Sequence, residues 1–143
     1  MSGIDGSTST AAGAACVGEG MTVLITGDMS FSYDVNGLSS TYLSPRFKII
    51  VMCNGGGGIF RFIKPTSDLP ELETCFEIHR DISVEKYADL FGLRYFELND
   101  EKSAAEVLSL FFAEEDRPAI LAVHTPNVYN AEVLRGYFRR SRQ

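Results

Sequence analysis

The chain has 143 residues, an ordinary globular share of apolar side chains and a formal net charge of −6. That length allows one domain, residues 1–143, with a real core, and the charge argues against a nucleic-acid or anionic-membrane partner. No apolar run reaches membrane-spanning length, and Met1 is followed by small and polar residues rather than a charged and then apolar leader.

In chain order, Ser7, Thr8, Ser9 and Thr10 supply N-cap residues for a small-sided helix over 11–17, which Gly18 and Gly20 end. The run Thr22-Val23-Leu24-Ile25-Thr26 has no alternation, as expected of a parallel strand covered on both faces. Phe31, Val35, Leu38 and Tyr42 recur at helical spacing, so a helix is expected over 31–42, broken by Pro45. A second buried strand covers 47–52, and four glycines follow it. Residues 60–77 carry Pro65 and Pro70 and read as a loop, with a short helix near 59–63. Ser83 caps a helix that runs to Phe91 and stops at Gly92; a third strand covers 94–98. Asp100 caps a helix over 101–113, a fourth strand covers 118–124, and a last helix spans about 129–139. The expected fold is therefore α/β: a doubly wound, mainly parallel sheet with helices on both faces.

In such a sheet ligands sit outside the carboxyl ends of the strands. Asp28 follows the first strand and Asn54, 26 residues on, follows the second. A carboxylate and an amide oxygen beside a glycine loop suit a hard divalent cation holding a phosphate group. Ser30 is placed to offer its hydroxyl or N–H to a diphosphate. The plainer readings are an N-cap for Asp28 and a flexible loop for Gly55 to Gly58. No Lys-Ser or Lys-Thr follows the glycines, so an NTPase loop is disfavoured, and the spaced dinucleotide fingerprint is missing. Cys16, Cys53 and Cys75 lack CxxC spacing and read as free thiols in a reducing compartment, by default the cytoplasm. Cys53 is expected to behave as a small buried hydrophobe. His79 lies four residues after Cys75, which is too few ligands for zinc, and His124 ends a strand at the ligand edge. Asp34, Asn36, Glu71 and Glu73 read as surface or loop polar groups, and the run Arg139-Arg140-Ser141-Arg142 as a solvated helix end.

Gly27-Asp28-Met29-Ser30 followed by Cys53-Asn54 resembles the thiamine-diphosphate signature, in which Gly-Asp-x-Ser leads to an Asn pair. Ser2-Gly3-Ile4-Asp5-Gly6-Ser7-Thr8-Ser9-Thr10-Ala11, Tyr33-Asp34-Val35-Asn36 and Gly56-Gly57-Gly58-Ile59-Phe60 narrow it. Together they resemble the C-terminal cofactor-binding domain of the 2-succinyl-5-enolpyruvyl-6-hydroxy-3-cyclohexene-1-carboxylate synthase family of menaquinone biosynthesis, across essentially the whole chain. That family is a group of transferases that decarboxylate 2-oxoglutarate on thiamine diphosphate and add the four-carbon unit to isochorismate. The resemblance implies that Asp28, Asn54 and the Gly56 carbonyl hold Mg²⁺ (or Mn²⁺), with Gly27, Met29 and Ser30 on the diphosphate. It further implies that Gly58, Ile59 and Phe60 contact the cofactor and that Ile4 buttresses its rings.

Cys53 stands where the family has the first Asn of the pair, which is expected to perturb binding geometry without abolishing it. The family's substrate-contacting Arg lies just upstream of the Ser-Gly-Ile-Asp-Gly motif, outside this chain. The abrupt start Met1-Ser2-Gly3-Ile4 predicts a domain cut from a longer protein. The pyrimidine-binding domain, with the glutamate that activates the cofactor, would come from a second subunit. The chain alone is then expected to carry no catalytic residue, to be inactive, and to self-associate through exposed apolar surface as a homo-oligomer. The alternatives are one subunit of a split thiamine-diphosphate decarboxylase, or a non-catalytic anion-binding module.

Overall fold

The computed structural model describes residues 4–77, 82–113 and 116–140. Helix α1 (Ser7–Val17) leads into strand β1 (Thr22–Gly27), and α2 (Asp28–Tyr33) follows without a break. A 3₁₀ turn (Val35–Ser39) brings the chain to β2 (Phe47–Cys53), which is followed by the glycine loop and the short α3 (Gly58–Phe62). After a 3₁₀ turn (Thr66–Asp68) and one turn of π-helix (Leu72–Phe76) come α4 (Val84–Phe91) and β3 (Arg94–Leu98). The 3₁₀ turn Glu101–Ser103, α5 (Ala104–Phe112), β4 (Ala119–His124) and α6 (Asn127–Arg140) complete the order.

All three strand pairs are parallel, in the spatial order β1-β2-β4-β3. Side chains alternate across the sheet, so Phe47, Ile49 and Val51 share a face with their β4 register mates Ile120 and Ala122. That face forms the main core with Ala12, Ala15, Phe31, Val35, Leu38 and Ala88, contributed by α1, α2, the first 3₁₀ turn and α4. The opposite face packs Ala119 and Leu121 against Phe111, Val107 and Leu108 of α5. Burial on both faces explains why β2 and β4 read as continuous apolar runs; β1, expected to be covered on both faces, is instead an edge strand with Val23 and Ile25 exposed.

The helix expected over 31–42 is the clearest departure. It ends at Tyr33, because Asp34 adopts φ −129°, ψ 22° and the chain tightens into the 3₁₀ turn. That turn packs against α1 so closely that a Cβ on Gly37 would stand 2.7 Å from the Ser9 Cα. Packing overrides the helical spacing. The expected cap of α1 is also corrected. Gly6 occupies the N-cap, and the carboxylate of Asp34 reaches across to accept from the Ser9 backbone N–H (2.7 Å) and the Ser9 hydroxyl (2.6 Å). These bonds, the side-chain one first, lower the Asp34 pKa below its ordinary value. Two helix starts also differ in detail. A 3₁₀ turn replaces the first turn expected from Glu101, and the last helix begins at Asn127, directly after Pro126.

Candidate functional site

Gly27 pairs in register with Met52, so the parallel strands deliver Asp28 and Asn54 to the same edge of the sheet. The Asp28 side chain turns into that edge and is 5% exposed. Its Oδ2 accepts three backbone N–H groups from the loop: Asn54 at 3.0 Å, Gly55 at 2.9 Å and Gly56 at 3.1 Å. Its Oδ1 accepts the N–H of Met29 at 2.8 Å. The Asn54 amide oxygen takes a second bond from the Gly56 N–H at 3.1 Å. Gly55, Gly56 and Gly57 all have positive φ (85°, 82° and 70°), a backbone that L side chains rarely adopt. Only this conformation aims consecutive N–H groups inward at one oxygen while the loop stays short. The glycine run is thus pinned to a fixed shape, and the N-cap reading of Asp28 is corrected: Gly27 holds the N-cap of α2 and Asp28 is its first helical residue.

The arrangement fits a hard divalent cation. Among the described residues no basic side chain pairs with Asp28. Oδ2 is saturated, but Oδ1 and the Asn54 amide oxygen each carry one hydrogen bond and keep a lone pair. Among the described residues no three His, Cys, Asp or Glu side chains group to hold a metal ion. A cation at this edge would draw on one carboxylate and one amide oxygen, hard donors that suit Mg²⁺ or Mn²⁺ better than a thiophilic metal.

The other expected residues gather around this centre. Ser30 donates its hydroxyl to the Ile4 carbonyl (2.6 Å) and sits 3.0 Å from the Ser7 hydroxyl, so the segment before α1 is tied to the first turn of α2. Its side-chain proton is engaged there, which leaves the backbone N–H as the group to offer an anion. The Ile4 side chain is exposed, as is Ile59; Phe60 packs its ring against Phe76 with centroids 5.4 Å apart. Gly58 is required by close approach: a Cβ there would meet the Asn127 Oδ1 at 2.6 Å and the Asn54 Nδ2 at 2.7 Å. Ser2 and Gly3 of the resemblance motif, His79, Ser141 and Arg142 lie outside the described residues.

Next to Asp28 a cleft of about 270 Å³ is lined by Cys53, Gly55, Ser83, Tyr95, Glu97 and His124. His124 Nε2 lies 3.0 Å from Glu97 Oε1, and both side chains are nearly half exposed. The Tyr95 hydroxyl donates to the same Glu97 oxygen at 3.2 Å, and burial foremost raises its pKa. Cys53 is half-buried against the main core, and burial, then the charges of Asp28 and Glu97, push its thiol up to about 11. It is a packed thiol, not an activated one.

Three residues that the sequence did not single out hold the glycine loop from behind. Glu77 is bidentate with Arg61 (2.7 and 2.6 Å), and Asn127 Nδ2 donates to the same Glu77 at 2.8 Å. No local spacing signals this group, because its members come from α3, the end of the π-helical turn and α6. Glu73, expected to be a loop polar group, adds a surface bond to Arg61 at 2.9 Å.

No family model matches the chain. It is 49% identical over 136 residues to a 2-succinyl-5-enolpyruvyl-6-hydroxy-3-cyclohexene-1-carboxylate synthase of Porphyromonas gingivalis, covering 95% of this chain and 24% of that protein. The chain matches one segment of that synthase. The synthases of Flavobacterium johnsoniae (45% over 139 residues) and Christiangramia forsetii (39% over 137 residues) align with 96% of it. The chain spans about a quarter of the length of these synthases. Its fold is shared with a thiamine diphosphate-dependent 4-hydroxybenzoylformate decarboxylase of Rhodococcus jostii RHA1, at TM-score 0.66 and 24% identity over 81% of this chain and 22% of that one. The α/β fold expected from the sequence is therefore the fold this chain shares with part of that decarboxylase.

Proposed function

We propose that this chain is the part of a synthase of menaquinone biosynthesis that binds Mg²⁺ (or Mn²⁺) and the diphosphate of thiamine diphosphate. The observation that carries the reading is the Asp28 carboxylate closed into the positive-φ glycine loop beside Asn54, in a chain that matches the synthase segment. Asp28 Oδ1, the Asn54 amide oxygen and the Gly56 carbonyl would hold the metal. Gly27, Met29 and the Ser30 N–H would face the diphosphate, with Gly58, Ile59, Phe60 and Ile4 against the rest of the cofactor. Thiamine diphosphate supplies the carbanion chemistry when bound, and the protein's task is to orient it and exclude water.

In the whole synthase this chemistry would serve decarboxylation of 2-oxoglutarate and transfer of the four-carbon unit to isochorismate, in the cytoplasm. A pyrimidine-binding domain from a second subunit would complete the site. Exposed apolar side chains support such a partner, notably Ile25 on the edge strand β1, at 68% exposure, and Tyr129, Val133 and Tyr137 on α6. Calorimetry of thiamine diphosphate into the chain, with and without Mg²⁺, tests the reading. Binding that requires Mg²⁺ is the expected result, and heat-silent titrations in both buffers would sink it. The pure chain should not turn over 2-oxoglutarate, and measurable turnover would refute the partner requirement.

A further inference from the structure

Resting on that reading, we propose that Arg61, Glu77 and Asn127 form a brace that sets the shape of the glycine loop and hence the affinity of its edge for a metal-bound diphosphate. Glu77 is the hub. Its side chain is 1% exposed and is held on one side by the Arg61 guanidinium and on the other by the Asn127 amide.

Both ends of the brace touch the loop directly. The backbone at Phe76 and Glu77 occupies the space where Gly57 would carry a Cβ, with the Phe76 carbonyl 2.5 Å and the Glu77 Cα 2.8 Å from that position. Asn127 Oδ1 lies 2.6 Å from the corresponding position on Gly58, on the side where Asn54 also contacts it. Arg135 of α6 donates to the Arg61 carbonyl, locking α3 to the last helix. Gly57 and Gly58 are thus wedged between the backbone that carries the buried Glu77 and the Asn127 amide, while Asp28 collects the N–H groups of the residues just before them. A loop gripped from both sides presents its outward oxygens in one arrangement. Residues that orient ligands in this way typically change metal affinity by about 10- to 100-fold when lost. The three side chains are positioning residues, since none of them lines the cleft beside Asp28.

The test separates shape from stability. Arg61→Met leaves Glu77 buried without its cation and should melt well below the wild type. Adding Glu77→Met removes the stranded charge, so Arg61→Met/Glu77→Met should regain most of the lost melting temperature. If the brace only stabilised the fold, everything else would return with it. We expect instead that in the double variant the Gly55 and Gly56 amides exchange with solvent faster than in wild type. We also expect Mg²⁺-dependent thiamine diphosphate binding to stay weaker by about tenfold or more. Wild-type exchange and wild-type affinity in the double variant would overturn the brace. Asn127→Ala, which keeps the ion pair, is read the same way if the double variant fails to fold. The exchange readout needs no cofactor, so a wild-type chain that binds none would defeat the cofactor reading while exchange still decides the brace.

Discussion

The two ends of β2 each bury a charge, and they use it in opposite ways. At the amino end Lys48, 1% exposed, donates to the Ala113 carbonyl at the close of α5 and lies 5.9 Å from the Phe111 ring centre. A cleft of about 520 Å³ opens beside it, lined by Glu19, Arg46 and Phe112 among others, nearly twice the volume next to Asp28. At the carboxyl end Asp28 gathers N–H groups of a loop whose other face opens outward. Lys48 closes a helix end, where a cation meets the negative pole of the dipole, whereas Asp28 shapes an edge that offers spare oxygen lone pairs. Convergent polar groups, not cavity size, single out the carboxyl end of the sheet as the candidate site.

Asp28→Ala should break the comparison most completely. It removes the carboxylate proposed to hold the metal and leaves the N–H groups of Met29, Asn54, Gly55 and Gly56 without their acceptor. Cofactor binding should vanish in calorimetry, and stability in urea should fall by about 3 kcal/mol or more. Lys48→Met sharpens the contrast from the other end: a loss of about 1–3 kcal/mol with thiamine diphosphate affinity unchanged. A weakened affinity there would mean that the two edges are coupled.

Smaller effects follow at two positions near the carboxyl end. Asp34→Ala removes the cap of α1 and should cost about 1 kcal/mol at pH 7. Because the folded pKa of Asp34 lies below its ordinary 3.8, mainly through the Ser9 bonds, its contribution is present above that value. It is lost as pH falls through the folded pKa, so wild type and variant should converge in acid; a gap that persists at low pH would assign the effect elsewhere. Cys53→Asn, which restores the family's Asn pair, should change stability least and leave Mg²⁺-dependent binding equal or better. Weaker binding in that variant would show that the thiol is needed.

The inner strands β2 and β4 were legible because they are buried on both faces and therefore written in unbroken apolar residues, as in Ile49-Ile50-Val51, whereas β1 carries the same apolar run with Val23 and Ile25 exposed. The edge was legible too, since Asp28 and Asn54 each directly follow such a run. Local spacing failed where distant groups decide. Tyr42 continues the helical period of Phe31, Val35 and Leu38, yet contact with Ser9 and the Asp34 bonds turn the chain early. Asp34 looked like a surface carboxylate because its partner is 25 residues away. Glu77, 50 residues from Asn127 and 16 from Arg61, sits between Pro70 and the next helix with nothing nearby to announce its burial.

In the proposed function the loop after β2 and the turn after β1 together hold a metal-bound diphosphate. Backbone amide NMR of the wild-type chain during addition of thiamine diphosphate at saturating Mg²⁺ tests it most directly. Shifts are expected at Met29, Ser30 and Asn54 to Phe60, with the Arg46 to Lys48 end of β2 unmoved. Shifts confined to the amino edge, or the same shifts without any divalent cation, would contradict it.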